Sequence, residues 1–139
     1  MILGTKARYA VMALVEMARR DTDKPVSLAE LSESQEITVP YLEQIFRKLK
    51  AAGLVKSVRG PGGGYVLGMQ ADMIAILDIV VAVDESTKMT RCDSKSSTGC
   101  MASKSRCLTH DLWEGLSNQI SVYLSSVSLA DVSSGKLGK

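Results

Sequence analysis

The chain has 139 residues, 45% of them hydrophobic, and a formal charge of +2, which is enough apolar content for one core or for a small domain with an appendage. No apolar run approaches the ~20 residues of a membrane span, and the charged, uncleavable-looking start argues against a secretory leader, so a cytoplasmic, membrane-free protein is expected. Three cysteines, an odd number, argue against a disulfide framework in that reducing compartment.

Tyr9, Ala10, Ala13, Leu14 and Met17 recur at three- and four-residue intervals and predict a first helix over residues 6–20. Ser27 and Glu30 stand in the relation of a capping box, which predicts a two-turn helix over 28–34. After a polar link at 35–38, Pro40 suits the first turn of a third helix, whose buried face is Leu42, Ile45, Phe46 and Leu49. That helix should stop at Ala52, with Gly53 beyond its end. Alternation over 54–59, the tip Gly60-Pro61-Gly62-Gly63-Gly64 and the run at 65–67 predict a two-stranded hairpin.

Asp72 is placed to cap a fourth helix through Ile74, Leu77, Ile79, Val80 and Val83. A polar segment, 84–106, follows it and is too long for an idle connection. From Leu108, the apolar positions Leu112, Leu116, Ile120, Tyr123, Leu124 and Val127, widened by Trp113, predict a long amphipathic helix. Little chain remains to cover it, so it pairs with a second copy or folds back on the first helix. A last short turn is expected at 129–132 and a frayed tail over 133–139.

The fold class is therefore mainly α with a small β-hairpin: a winged helix-turn-helix over residues 1–83, a ligand-bearing loop over 84–107, and a dimerisation helix with its terminal turn over 108–132. Residues 1–59 hold ten Lys and Arg against seven Asp and Glu, and Arg47, Lys48, Lys50, Lys56 and Arg59 fall close together. On charge alone a solvated helix face explains this better than phosphate binding does. On the third helix, however, Tyr41, Glu43, Gln44, Arg47 and Lys48 form a mixture that can address bases and phosphates: Gln pairs with adenine, Arg with guanine, and Glu accepts from cytosine. Thr38 and Pro40 stand at the start of that helix. The glycine-rich tip is not a nucleotide loop, because no G-K-[ST] ending follows and the chain continues as strand. As a wing it would bring Arg59, Gly60 and Pro61 close to a minor groove.

Cys92, Cys100, Cys107 and the single histidine, His110, are spaced C-x7-C-x6-C-x2-H in the polar segment. Thiolates and imidazole suit zinc or an iron-sulfur cluster. Structural zinc ligands usually come in two close pairs, and only Cys107 and His110 do so here, which favours a cluster under a loop. Inert surface cysteines are the bland alternative. An enzyme is disfavoured, because no second histidine exists to act as base.

The stretches K-x-R-Y-A-V at 6–11, Y-L-E-Q at 41–44, S-V-R-G-P-G-G-G-Y at 57–65, A-V-D-E-S at 82–86, T-R-C at 90–92 and C-L-T-H-x-L-W at 107–113 resemble the iron-sulfur regulators of the Rrf-two superfamily of bacterial transcription factors. The resemblance covers about residues 1–132. It implies a homodimeric repressor and activator that binds double-stranded operator DNA and controls cluster-assembly genes. It also implies a 2Fe-2S cluster, absent from an apo form, on Cys92, Cys100, Cys107 and His110. Glu43 and Gln44 would be recognition-helix contacts and Arg59 the wing contact. The ligand gaps are wider than is usual in those regulators, and Pro40 replaces a small hydroxyl residue, which removes one possible DNA contact. Related sensors of iron, nitric oxide or zinc, and an iron-sulfur carrier whose basic helix is mere surface, are the competing readings.

Overall fold

The computed structural model describes residues 4–20, 24–83, 108–135 and 137. The first helix, α1 (Thr5–Arg19), buries Ala7, Ala10, Ala13, Leu14 and Met17 as one stripe. It ends where Arg20 turns extended. The second, α2 (Leu28–Gln35), begins at the expected capping box: the Glu30 N–H donates to Ser27 Oγ and the Ser27 N–H donates to a Glu30 carboxylate oxygen, each at 3.1 Å. Its exit bends sharply because Glu36 adopts a left-handed conformation, φ 56°, which drives Ile37 into the core. A non-glycine residue there is strained, and it makes the turn between the two helices of the motif.

The third helix, α3 (Val39–Ala51), lies across the core through Leu42, Ile45, Phe46 and Leu49. Each of these is essentially inaccessible to water, a burial that stabilises by ~1.5–3 kcal/mol per side chain. Beyond Ala52, Gly53 has φ 80° and its N–H donates to the Lys50 carbonyl, which closes the helix as expected. The hairpin follows as β1 (Val55–Val58) antiparallel to β2 (Gly64–Leu67), with Val55 opposite Leu67 and Val58 opposite Gly64. Val26 adds a third short rung, since its N–H and carbonyl pair with those of Tyr65 at 2.9 and 2.8 Å. One isolated apolar residue between a proline and a cap gives no strand signal, so this rung was not expected.

The fourth helix differs from expectation. Asp72 sits exposed in a single 3-10 turn (Ala71–Met73) and caps nothing longer. The helix proper, α4 (Ile76–Ala82), starts later and takes its cap from Asp78, whose carboxylate accepts the Ala75 N–H at 3.1 Å. The cause is distant in sequence. Residues 74–76 are held extended by residues 127–129: the Ile76 N–H donates to the Val127 carbonyl, and the Leu129 N–H to the Ile74 carbonyl.

Accordingly α5 (His110–Ser126) stops before Val127, which is buried and extended rather than helical. The last helix, α6 (Leu129–Ser133), has its own capping box between Ser128 and Asp131 and packs against α1 and the 3-10 turn. Leu129 is fully buried among the residues of that core. The C-terminal segment thus closes the domain that α1 begins, while α5 rests on α4.

Candidate functional site

Because Leu42, Ile45, Phe46 and Leu49 anchor one side of α3, the other side must face water. Glu43, Gln44 and Arg47 are exposed there, as are Thr38 and Pro40 at its start. Thr38 is the residue preceding the helix, and its hydroxyl makes no capping bond. Tyr41 and Lys48 are only half-exposed. The Tyr41 ring meets Tyr9 of α1 edge-on, with centroids 5.7 Å apart and planes at 79°, so part of it is packed against α1 rather than open to water. Lys48 and Lys50 also lie in the last turn, where cations complement the helix dipole.

The wing is held in fixed relation to this helix. At its root the Tyr65 ring lies 4.9 Å from that of Phe46, on the buried side of α3. At its tip Arg59, Gly60 and Pro61 are exposed, and the Gly63 N–H donates to the Gly60 carbonyl at 2.9 Å. A side chain at Gly63 would collide with the Val58 carbonyl, and one at Gly64 with the Val26 carbonyl. The glycines therefore permit both the tight tip and the third rung. The root of the wing is thus packed on α3, with Glu43, Gln44 and Arg47 exposed on the helix and Arg59 exposed at the wing tip.

Of the four expected metal ligands, Cys92, Cys100 and Cys107, with the whole 84–107 loop, lie outside the described residues. His110 is described. It is the first residue of α5 and is 4% exposed, with Nε2 3.3 Å from a Glu114 carboxylate oxygen. Glu114, one turn on, was not singled out in the sequence, although an i, i+4 spacing from a helical histidine is the signal that finds it. Three thiolates with a buried imidazole at a helix start make a donor set that fits a soft metal centre. No described helix is long and apolar enough to cross a membrane.

The chain is similar to known transcriptional regulators. The profile of the Rrf2 family, described as an iron-dependent transcriptional regulator, matches residues 3–135. The HTH-type transcriptional regulator IscR of Yersinia pseudotuberculosis is 50% identical over 132 residues, which are 95% of this chain and 79% of that protein; IscR of Erwinia tasmaniensis is 49% identical over the same length, covering 95% of this chain and 78% of that one. Among solved structures, IscR of T. potens superposes with a TM-score of 0.74 at 35% identity, covering 95% of this chain and 85% of that one. CymR, the global cysteine regulator of B. subtilis, gives 0.78 at 29% identity, covering 96% and 97%. The relatives are transcriptional regulators and not enzymes, and the winged helix-turn-helix described above is theirs. The chain belongs to the Rrf2 family of iron-dependent transcriptional regulators.

Proposed function

We propose that this regulator senses iron-sulfur cluster supply and adjusts the expression of cluster-biogenesis genes by changing which operators it prefers. The observation that carries the reading is the exposed Glu43, Gln44 and Arg47 surface of α3 with a wing packed on the same helix at its root, in a chain half identical to IscR. In this reading residues 1–83 read DNA, 84–107 carry the ligands and 108–132 join two copies in the cytoplasm.

On DNA, Gln44 and Arg47 enter the major groove, where Gln recognises adenine and Arg guanine. The hydroxyls of Thr38 and Tyr41 and the Lys48 ammonium take phosphates, while Pro40, without an N–H, gives shape only. Arg59, with Gly60 and Pro61, addresses the minor groove. Glu43 acts as discriminator: a carboxylate is tolerated where a cytosine amino group meets it and repelled where none does.

Cys92, Cys100, Cys107 and His110 would hold a 2Fe-2S cluster. When bound, such a cluster supplies an oxidant-sensitive redox centre whose presence is the signal. The chain's own contribution is positional. His110 is at once a ligand and the first residue of α5, so ligation ties the 84–107 segment to the helix that joins two copies. Homodimerisation would cover the exposed apolar residues of α5 and suit a palindromic operator.

Two measurements test the proposal. Anaerobically purified protein should be coloured, with iron and sulfide in equal amounts, and alanine at any of the three cysteines should bleach it; a colourless protein containing zinc favours the sensor of another metal. Affinities for two operator classes should diverge between apo and holo forms, and Glu43→Ala should shrink the difference by about tenfold, the ~1–3 kcal/mol of one base contact. Unchanged discrimination removes Glu43 from the mechanism, and no DNA affinity at low salt favours an iron-sulfur carrier.

A further inference from the structure

One basic residue outside α3 lies against the reading surface. Lys6, in the first turn of α1, lines a crevice of about 20 Å³ together with Tyr41, Gln44, Ile45, Lys48 and Val83. Three helix positions on α3, Tyr41, Gln44 and Lys48, follow one another at three- and four-residue spacing and form the flank of the helix nearest α1. Glu43 and Arg47, also four apart, form the adjacent flank. The packing of Tyr9 on Tyr41 sets the approach of the two helices, and Lys6 stands one turn before Tyr9 on the same side of α1.

Lys6 is half-buried, and among the described residues it has no acidic partner. It shares the crevice with the apolar Ile45 and Val83, and a lysine stem lying on apolar surface keeps its ammonium toward water. The crevice is too small to hold a phosphate or a base. Any ligand must lie across the mouth of the crevice, which Lys6 of α1 lines together with Gln44 and Lys48 of α3.

We propose that Lys6 is a DNA-backbone contact: its ammonium takes one phosphate on the α1 flank of the recognition helix, opposite in role to the base-reading residues. This rests on the proposed insertion of α3 into a DNA groove and adds a sequence-independent anchor from a second element. Such an anchor fixes the rotation of α3 about its own axis, which decides whether Gln44 meets a base edge. A lysine is suited to the task because a compact point charge asks little of phosphate orientation.

The test measures binding of wild-type full-length protein, Lys6→Gln and Lys6→Met to a mixed-sequence duplex and to an alternating A·T duplex across a salt series. Removing one phosphate contact from each of the two copies should reduce the slope of log affinity against log salt by about 1.8, with the same loss on both duplexes, while Lys6→Arg keeps the wild-type slope. Lys6→Met, which keeps an unbranched apolar stem of similar length, should melt with the wild type. A slope unchanged in the two neutral variants, with wild-type binding intact, overturns the contact at Lys6 and leaves the regulator reading standing. A loss confined to one duplex also overturns it, because it marks base reading. Absence of salt-dependent binding by the wild type itself brings down the parent reading and this one together.

Discussion

Glu16 shows how a single side chain joins the elements that position the reading helix. It projects from α1, yet its carboxylate accepts hydrogen bonds from Ser34 Oγ and Gln35 Nε2 at the end of α2, and from Arg20, whose guanidinium lies 2.7 Å away. Partial burial pushes its pKa up, but the hydrogen bonds from Ser34 and Gln35 and the charge of Arg20 outweigh that and hold it below the ordinary value of 4.5. A carboxyl depressed in the folded state contributes stability that is present above its unfolded value, about 4.5, and is lost as pH falls through the folded value. The wild type should therefore lose urea resistance as pH drops below about 4.5, and Glu16→Gln should lose part of that slope. At neutral pH the variant should be weaker by no more than ~1 kcal/mol, because solvent screens the site. Identical pH slopes for the two proteins would exclude Glu16 from acid sensitivity.

The elements show what local sequence can and cannot announce. Helices whose start signals and apolar stripes are local, such as α2 with Ser27 and Glu30 or α3 with Leu42, Ile45, Phe46 and Leu49, lie where their residues place them. The exposed Glu43, Gln44 and Arg47 were legible for the same reason, as the polar complement of that stripe. What was not legible depended on partners far along the chain. Val26 becomes a strand rung only because Tyr65 arrives beside it, Tyr41 loses exposure to Tyr9, and Asp72 yields its capping role because residues 127–129 pin 74–76 in extended form. Apolar content at Val127 was visible, but periodicity alone counted it as helix, and its buried, bridged position is set by tertiary pairing. The same long-range pairing makes α6 a structural lock. Leu129→Ala should cost ~2–5 kcal/mol, the range for a fully buried leucine, and should loosen α1 as well as the terminus. Hydrogen exchange reads this directly: faster exchange in residues 5–19 as well as in 129–133 is the expected result. A variant that frays at the terminus alone would show α6 to be an appendage.

At the scale of the whole molecule, the unresolved demand of the fold is the outward face of α5. Among its residues only His110 is buried, while Leu112, Val122 and Tyr123 are each more than half exposed and Leu116 is 38% exposed. Leu108, just before the helix, is wholly exposed. α6, rather than this helix, is the principal C-terminal neighbour of α1, and we propose that a second copy of the chain covers the stripe. Leu112, Leu116 and Tyr123 recur at helical spacing along one side, and burying such side chains between two copies contributes ~1.5–3 kcal/mol each. A stable interface needs ~1,200–2,000 Å² in total, a size that two long helices with their flanks can supply. Leu112→Glu combined with Leu116→Glu should leave helical content and the domain core unchanged, since neither side chain belongs to that core. Sedimentation should shift from a dimer to a monomer. A monomer reaches only one half-site, so operator affinity should fall on the order of 100-fold or more through lost avidity, while affinity for an isolated half-site stays near the wild-type value. If the double variant still sediments as a dimer, the stripe on α5 has another occupant, and the route from His110 through this helix to the operator must be redrawn.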